Sequence, residues 1–244
     1  MRTLCIDIGN SGVKAAFFRN DRIEGRKRWA NIGSQEIESI KNDWKGIEHV
    51  ILCSVRGEAA SLKRLLEQHF PSVMLFGSDT AVPFENLYLT TSTLGKDRLA
   101  AIAGACNNYP RKNVLVIDAG TAVTFDVIDE YGRYLGGNIS PGVNMRFRAL
   151  NEFTGKLPLA GPRLETGYFA RNTEEAIAWG VMNGTLFEIE SYISLIRQKF
   201  NNPVIILTGG DARYFDKKVK STIFVDPDLI FTGLNAILKH NASK

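Results

Sequence analysis

Apolar residues in this chain fall into short runs that stop abruptly on polar residues or glycine. The first run sets the theme. Leu4-Cys5-Ile6 leads through Asp7 and Ile8 into Gly9-Asn10-Ser11-Gly12, and strand-like sequence resumes from Val13 to Phe18. The pattern predicts a strand, a tight turn and a returning strand. A third strand over 22–30 closes a meander. After it come a weak helix over 34–43, an apolar strand over 49–54, a firmer helix over 58–70 and a strand over 73–76. The second helix carries Ala59, Leu62, Leu65, Leu66 and Phe70 on one face, which is the helical period. A meander followed by helix-strand-helix-strand predicts a mixed α/β layer.

The same pattern then recurs. Leu115-Val116-Ile117-Asp118-Ala119-Gly120-Thr121-Ala122 repeats the apolar run, the acid, the glycine and the polar turn. Asp118 lies 111 residues beyond Asp7 (118 less 7) in a chain of 244, close to half its length. A second meander closes over 133–139, and a glycine-rich bend over 136–142 leads into a helix near 144–150. The stretch 155–167, with Pro158 and Pro162, reads as a loop. A long helix runs from Asn172 toward Phe200, then a strand over 204–207, a strand over 223–225 and a last helix over 229–239. Two copies at half-chain spacing imply a duplicated fold with two acidic turns facing one cleft. The expected domains are 1–112 and 113–244, and whether the last helix packs back on the first domain stays open.

Between the copies, the stretch from Asn86 to Arg98 is polar, rich in hydroxyls and poorly periodic, and an alanine-rich helix follows over 99–106. Asp97 therefore stands at a helix N-terminus. One reading is structural, because acids there meet free amides and the positive end of the helix dipole. The other makes Asp97 a general base, with Arg98 beside it to hold an anion. Thr173 has the look of an N-cap before the long helix. Gly209-Gly210, after a strand, reads either as a tight turn or as room for a nucleotide.

The first turn suggests its own chemistry. Gly9 and Gly12 let a ligand approach the main chain, and the amides of such a turn form a concave donor surface for anionic oxygens. Asp7 could hold a metal ion beside phosphates, and Lys14 could supply positive charge.

Composition narrows the field. Hydrophobic residues at 44% and charged residues at 23% fit a soluble globular protein with a sizeable core. No apolar run reaches membrane-helix length, and strand sequence from Thr3 leaves no room for a signal peptide. The net charge of +4 is mild. Arg26-Lys27-Arg28 and Lys217-Lys218-Val219-Lys220 read as solvated surface, since no nucleic-acid reader motif accompanies them. Cys5, Cys53 and Cys106 sit in apolar contexts without metal-ligand spacing, as in a reducing cytoplasm. His49, His69 and His240 offer no zinc spacing, which argues against a histidine centre. The P-loop, the dinucleotide fingerprint and the serine nucleophile elbow are all missing.

Taken together, these residues carry a resemblance. The doubled Asp-x-Gly turns resemble the acetate-kinase, sugar-kinase, heat-shock-ATPase and actin superfamily. Within it, the chain closely resembles the type III pantothenate kinases from Thr3 to about Leu238. Six elements carry this: Asp7-Ile8-Gly9-Asn10-Ser11, Gly95-Lys96-Asp97-Arg98, Asp118-Ala119-Gly120-Thr121-Ala122, Gly137-Asn138-Ile139-Ser140-Pro141-Gly142, Asn172-Thr173-Glu174-Glu175-Ala176 and Leu207-Thr208-Gly209-Gly210.

The resemblance implies a duplicated ribonuclease H-like (actin-like ATPase) α/β fold, two similar mixed-sheet domains around a nucleotide cleft. It implies a cytoplasmic homodimeric transferase that phosphorylates pantothenate with ATP, the first step of coenzyme A biosynthesis, with no nucleic-acid or membrane partner. By the same resemblance Asp7, Ile8, Gly9, Asn10, Ser11, Gly12, Val13, Lys14 and Thr121 bind ATP, and Asp97 accepts the proton. Tyr88, Gly95, Lys96, Asp97, Arg98 and Thr173 contact pantothenate. Asp118 holds a monovalent cation, K⁺ or NH₄⁺, and Mg²⁺ travels with ATP. The competing readings are another small-molecule kinase of the superfamily and a non-catalytic ATP-binding regulator.

Overall fold

The computed structural model describes residues 1–54 and 59–242. The chain divides into two compact units. The first comprises Met1–Pro110, Gly132–Tyr134 and Asp228–Lys244, and the second Arg111–Tyr131 and Leu135–Pro227.

In the first unit β1 (Arg2–Gly9), β2 (Gly12–Arg19) and β3 (Arg22–Trp29) form the meander. Then come α1 (Ser34–Asp43), β4 (His49–Ser54), α2 (Ala59–Glu67) and β5 (Val73–Leu75). The expected start of α2 at Glu58 lies outside the described residues. The sheet order is β3-β2-β1-β4-β5, with β1 antiparallel to β2 and parallel to β4. Alternation along β1 decides which side chains meet what. Leu4, Ile6 and Ile8 enter a core with Ile37 and Ile40 of α1 and Leu62 and Leu66 of α2. Thr3, Cys5 and Asp7 take the opposite face.

A two-residue strand, β6 (Glu85–Asn86), precedes α3 (Lys96–Asn108). The alanine-rich pattern places the helix correctly but starts it late. α3 opens at Lys96, three residues before the first apolar residue, with Gly95 as its N-cap position. Arg98 through Ala105 are all buried, so the helix is apolar nearly all round and lacks the polar face that would mark its ends.

The second unit repeats the arrangement: β7 (Val114–Ala119), β8 (Ala122–Ile128), β9 (Arg133–Pro141), α4 (Val143–Glu152), α5 (Thr173–Lys199), β10 (Val204–Thr208) and β11 (Phe224–Val225). Its strands run β9-β8-β7-β10-β11, matching β3-β2-β1-β4-β5 position for position. Leu115, Ile117 and Ala119 of β7 pack with Phe147 of α4 and Ile177, Val181, Ile189 and Ile193 of α5. The first two residues of β9, Arg133 and Tyr134, belong to the first unit and pair in parallel with β6.

The last helix, α6 (Leu229–Ala242), belongs to the first unit and packs on α3 and on β1. Glycine makes that contact. A Cβ on Gly233 would collide with the Ala100 carbonyl, and one on Gly104 with the Leu229 carbonyl, so the two backbones touch directly. A fork of hydrogen bonds from Arg26 to Asp228, the first at 2.7 Å, anchors the start of α6 to β3. Among the described residues no helix is long and apolar enough to cross a membrane.

Candidate functional site

The β1–β2 connection is a two-residue hairpin. Gly9 pairs with Gly12, which leaves Asn10 and Ser11 at the exposed tip. Gly12 is required there. Its φ of +131° is outside the range of ordinary side chains, and a Cβ would press on the Trp29 carbonyl. Ile8 and Val13 flank the tip, and their side chains are buried in the α1–α2 core. At the tip itself, what they offer a ligand is backbone.

Asp7 sits directly across from Lys14 on β2 and from Cys53 on β4. It is 9% exposed. Burial pushes its carboxyl up to about 6, Lys14 opposes the rise, and the charge of Asp97 adds to it. The Cys53 thiol is driven well up by burial first, then by Asp7 and Asp97, with Lys96 pulling the other way. Asp7, Lys14, Cys53, Lys96 and Asp97 thus share one electrostatic neighbourhood inside the first unit. They meet because Asp7 lies on the sheet face that α3 and α6 cover, and the first turn of α3 carries Asp97.

Asp97 is not the N-cap of α3. It is the second helical residue, and its Oδ1 accepts the Arg98 amide at 2.9 Å. Arg98 is only 5% exposed. Its Nη2 donates to the Tyr134 hydroxyl at 3.0 Å, and its guanidinium lies 5.6 Å from the centre of the Tyr88 ring.

The Asp118 turn of the second unit has the same plan with different neighbours. Gly120 and Thr121 make the connection, two residues as in the first copy, but the last register pair is Ala119 with Val123, so Ala122 at the start of β8 stands beyond the paired residues where Gly12 is paired. Asp118 faces Thr124 and Thr208 where Asp7 faces Lys14 and Cys53. The lysine therefore belongs to the first copy alone. Two glycines close around this turn. A Cβ on Gly209, which has φ +94°, would fill the space beside Asp118 Oδ1 and the Ala119 carbonyl. A Cβ on Gly142 would fill the space against the Gly120 and Thr121 carbonyls. Gly209 is thus fixed by close approach to the acid.

A carboxylate with main-chain carbonyls nearby is the donor type that a monovalent cation could use, and Asp118 with the carbonyls of its turn is the candidate here. Among the described residues no three His, Cys, Asp or Glu side chains form a metal cluster. A hard divalent ion carried on phosphates needs only one or two carboxylates, and Asp7 meets that requirement.

Thr173 opens α5 and is exposed, but it does not cap the helix as expected. The cap is Asn172, whose Oδ1 accepts the Glu175 amide at 2.9 Å. The reason is a one-residue offset: the residue with extended backbone is Asn172, and Thr173 already has helical geometry. The structure places Asp7 to Lys14, Tyr88 and Gly95 to Arg98 in the first unit, and Asp118, Thr121 and Thr173 in the second. Sequence reasoning missed Tyr134 and Cys53. Neither lies in a recognisable motif: strand register sets Cys53 beside Asp7, and a hydrogen bond from Arg98 and a stack on Tyr88 bring in Tyr134.

Solved structures share the fold. A Baf family protein from Campylobacter jejuni superposes with a TM-score of 0.66 at 23% identity, covering 99% of this chain and 100% of that one. Component A of the (R)-2-hydroxyglutaryl-CoA dehydratase of Acidaminococcus fermentans superposes with a TM-score of 0.57 at 15% identity over the full length of both. At such identities the likeness speaks for the duplicated actin-like ATPase fold alone.

The sequence comparisons go further. The chain is 42% identical over 238 residues to a type III pantothenate kinase of Phocaeicola vulgatus, covering 98% of each. It is 38% identical over 242 residues to one of Christiangramia forsetii, covering 99% of each. The type III pantothenate kinase family model matches residues 3–195, a span that takes in Asp7, Asp97, Asp118 and Thr173. With both acidic turns, the Asp97 helix start and full-length likeness in one chain, this protein belongs to the type III pantothenate kinase family.

Proposed function

We propose that this chain transfers the γ-phosphoryl group of ATP to the primary hydroxyl of pantothenate, the first step of coenzyme A biosynthesis, with Asp97 as proton acceptor. The observation that carries this division of labour is the convergence of Asp7, Lys14 and Asp97 in one unit. Phosphoryl transfer asks a protein mainly for positioning and charge neutralisation. The main-chain amides of Asn10 to Gly12 and the Lys14 ammonium hold the ATP phosphates, and the Thr121 hydroxyl adds to that set.

The substrate hydroxyl oxygen bonds to the γ-phosphorus as the bond to the β–γ bridging oxygen breaks. The hydroxyl proton passes to Asp97, and ADP leaves. Oδ1 of Asp97 is turned back on the helix start, so Oδ2 is the oxygen that receives the proton. A loose transition state makes little demand for early deprotonation, so Asp97 also serves by orienting the hydroxyl.

Tyr88, Gly95, Lys96, Arg98 and Thr173 contact pantothenate, with the Arg98 guanidinium directed at its carboxylate. Mg²⁺, when bound with ATP, offsets phosphate charge, and Asp7 is the residue placed to meet it. Asp118, between Gly209 and Gly142, holds K⁺ or NH₄⁺. The enzyme works as a homodimer. Exposed Tyr168, Phe169 (89% exposed) and Phe187 border an open groove of about 450 Å³ along α5, an apolar face suited to a second copy. Free thiols at Cys5, Cys53 and Cys106 support a cytoplasmic location.

The test is ADP release by purified protein given ATP, Mg²⁺ and pantothenate, with and without K⁺. Turnover that requires pantothenate and rises with K⁺ is the expected result. Turnover on sugars but not on pantothenate would overturn the assignment.

A further inference from the structure

We infer that Tyr134 is a positioning residue for pantothenate: it fixes Arg98 and the Tyr88 segment in one arrangement without itself touching substrate. The inference rests on the reading of Arg98 and Tyr88 as pantothenate contacts. Tyr134 is fully buried. Its hydroxyl accepts from Arg98 Nη2 at 3.0 Å. Its ring stacks on that of Tyr88, with centroids 6.1 Å apart and planes 13° from parallel. The Arg98 guanidinium lies over the Tyr88 ring in turn, so each of the three side chains meets the other two.

The backbone of Tyr134 makes the same connection. Its carbonyl accepts the Leu87 amide at 3.1 Å, and Tyr134 pairs with Asn86 of β6. The Asn86 side chain then accepts the Tyr88 amide at 3.0 Å, which sets the turn into Tyr88. Phe84 meets the Tyr134 ring edge-on at 6.2 Å. One residue thus registers the segment from Phe84 to Tyr88 against the first turn of α3.

A phenol suits this task. It holds a guanidinium by a hydrogen bond and brings no charge of its own. The ring and the hydroxyl also separate two functions. The ring holds Tyr88, and the hydroxyl holds the outer end of Arg98. Asp97 is held from elsewhere, by the Arg98 amide. Loss of the hydroxyl alone should therefore loosen substrate binding and leave the proton acceptor where it is.

The experiment is a steady-state comparison of wild type, Tyr134→Phe, Arg98→Met and the double variant, with melting temperatures alongside. Tyr134→Phe keeps the stacked ring. It should raise the pantothenate KM by about tenfold, the scale of one lost hydrogen bond to a charged group, with kcat within about twofold and the ATP KM unchanged. In the Arg98→Met background the Tyr134→Phe change should add nothing. A normal pantothenate KM in Tyr134→Phe, beside a raised one in Arg98→Met, would overturn the positioning role and leave the substrate reading intact. A normal pantothenate KM in Arg98→Met would overturn the reading of Arg98 itself. A fall in melting temperature, with both KM values raised and kcat reduced in Tyr134→Phe, would mark a purely structural tyrosine and also overturn the inference.

Discussion

Asp7 should cost the ligand-free protein stability, and Asp7→Asn should recover it. The folded carboxyl titrates at about 6, against 3.8 as the ordinary value, chiefly because burial removes it from water. The folded state therefore binds its proton more tightly than the unfolded chain does. Between pH 3.8 and about 6 the folded state carries more protons, so stability falls as pH rises through that window, and above it the full cost is present. The rise from 3.8 to about 6 corresponds to about 3 kcal/mol.

Asparagine is nearly the same shape and has no charge to bury. Asp7→Asn should thus be more stable than wild type at pH 7.5, by up to about 3 kcal/mol, and close to it near pH 4. Urea unfolding of both ligand-free proteins at several pH values from 4 to 8 measures the difference. Added ATP with Mg²⁺ should reverse the order, because ligand stabilises only the protein that binds it. A variant less stable than wild type at pH 7.5, or a difference that does not change with pH, would refute the argument that burial dominates at Asp7.

Other substitutions probe the remaining assignments. Asp97→Asn should keep the fold and lower kcat by about a hundredfold, the scale of a lost general base, and near-normal turnover would remove Asp97 from the mechanism. Asp118→Asn should raise the K⁺ concentration needed for half-maximal activity, and a K⁺ titration identical to wild type would reject the cation site. Gly233→Ala places a Cβ against the Ala100 carbonyl, and overpacking of this kind costs about 1–3 kcal/mol. Its melting temperature should fall despite the better helix propensity of alanine, and an unchanged value would show that the α3–α6 contact can relax.

The duplicated plan is legible because each copy begins with a short apolar strand ending on Asp-x-Gly, and strand periodicity is local. Helices α1, α2 and α5 are legible for the same reason. The start of α3 is displaced because Lys96, Asp97 and Arg98 break the apolar pattern while already helical. The cap of α5 is off by one because Asn and Thr are both good caps, and only backbone geometry separates Asn172 from Thr173. The difference between the two turns hides in register. Lys14 lies opposite Asp7, and the lysine's counterpart opposite Asp118 is Thr124. Tyr134 is the clearest omission, since its partners stand 36 and 46 positions away, a distance that no local pattern reports.

The glycine contact between α3 and α6 has a consequence for biosynthesis. The segment that completes the first unit leaves the ribosome only after the second unit has been made. Until then Gly104 and its neighbouring alanines lack the surface that shields them, and the helix bearing Asp97 lacks its backing. A nascent chain should therefore acquire phosphotransfer competence late, only once α6 has emerged, and a chain cut short before residue 228 should lack it however intact the motifs upstream.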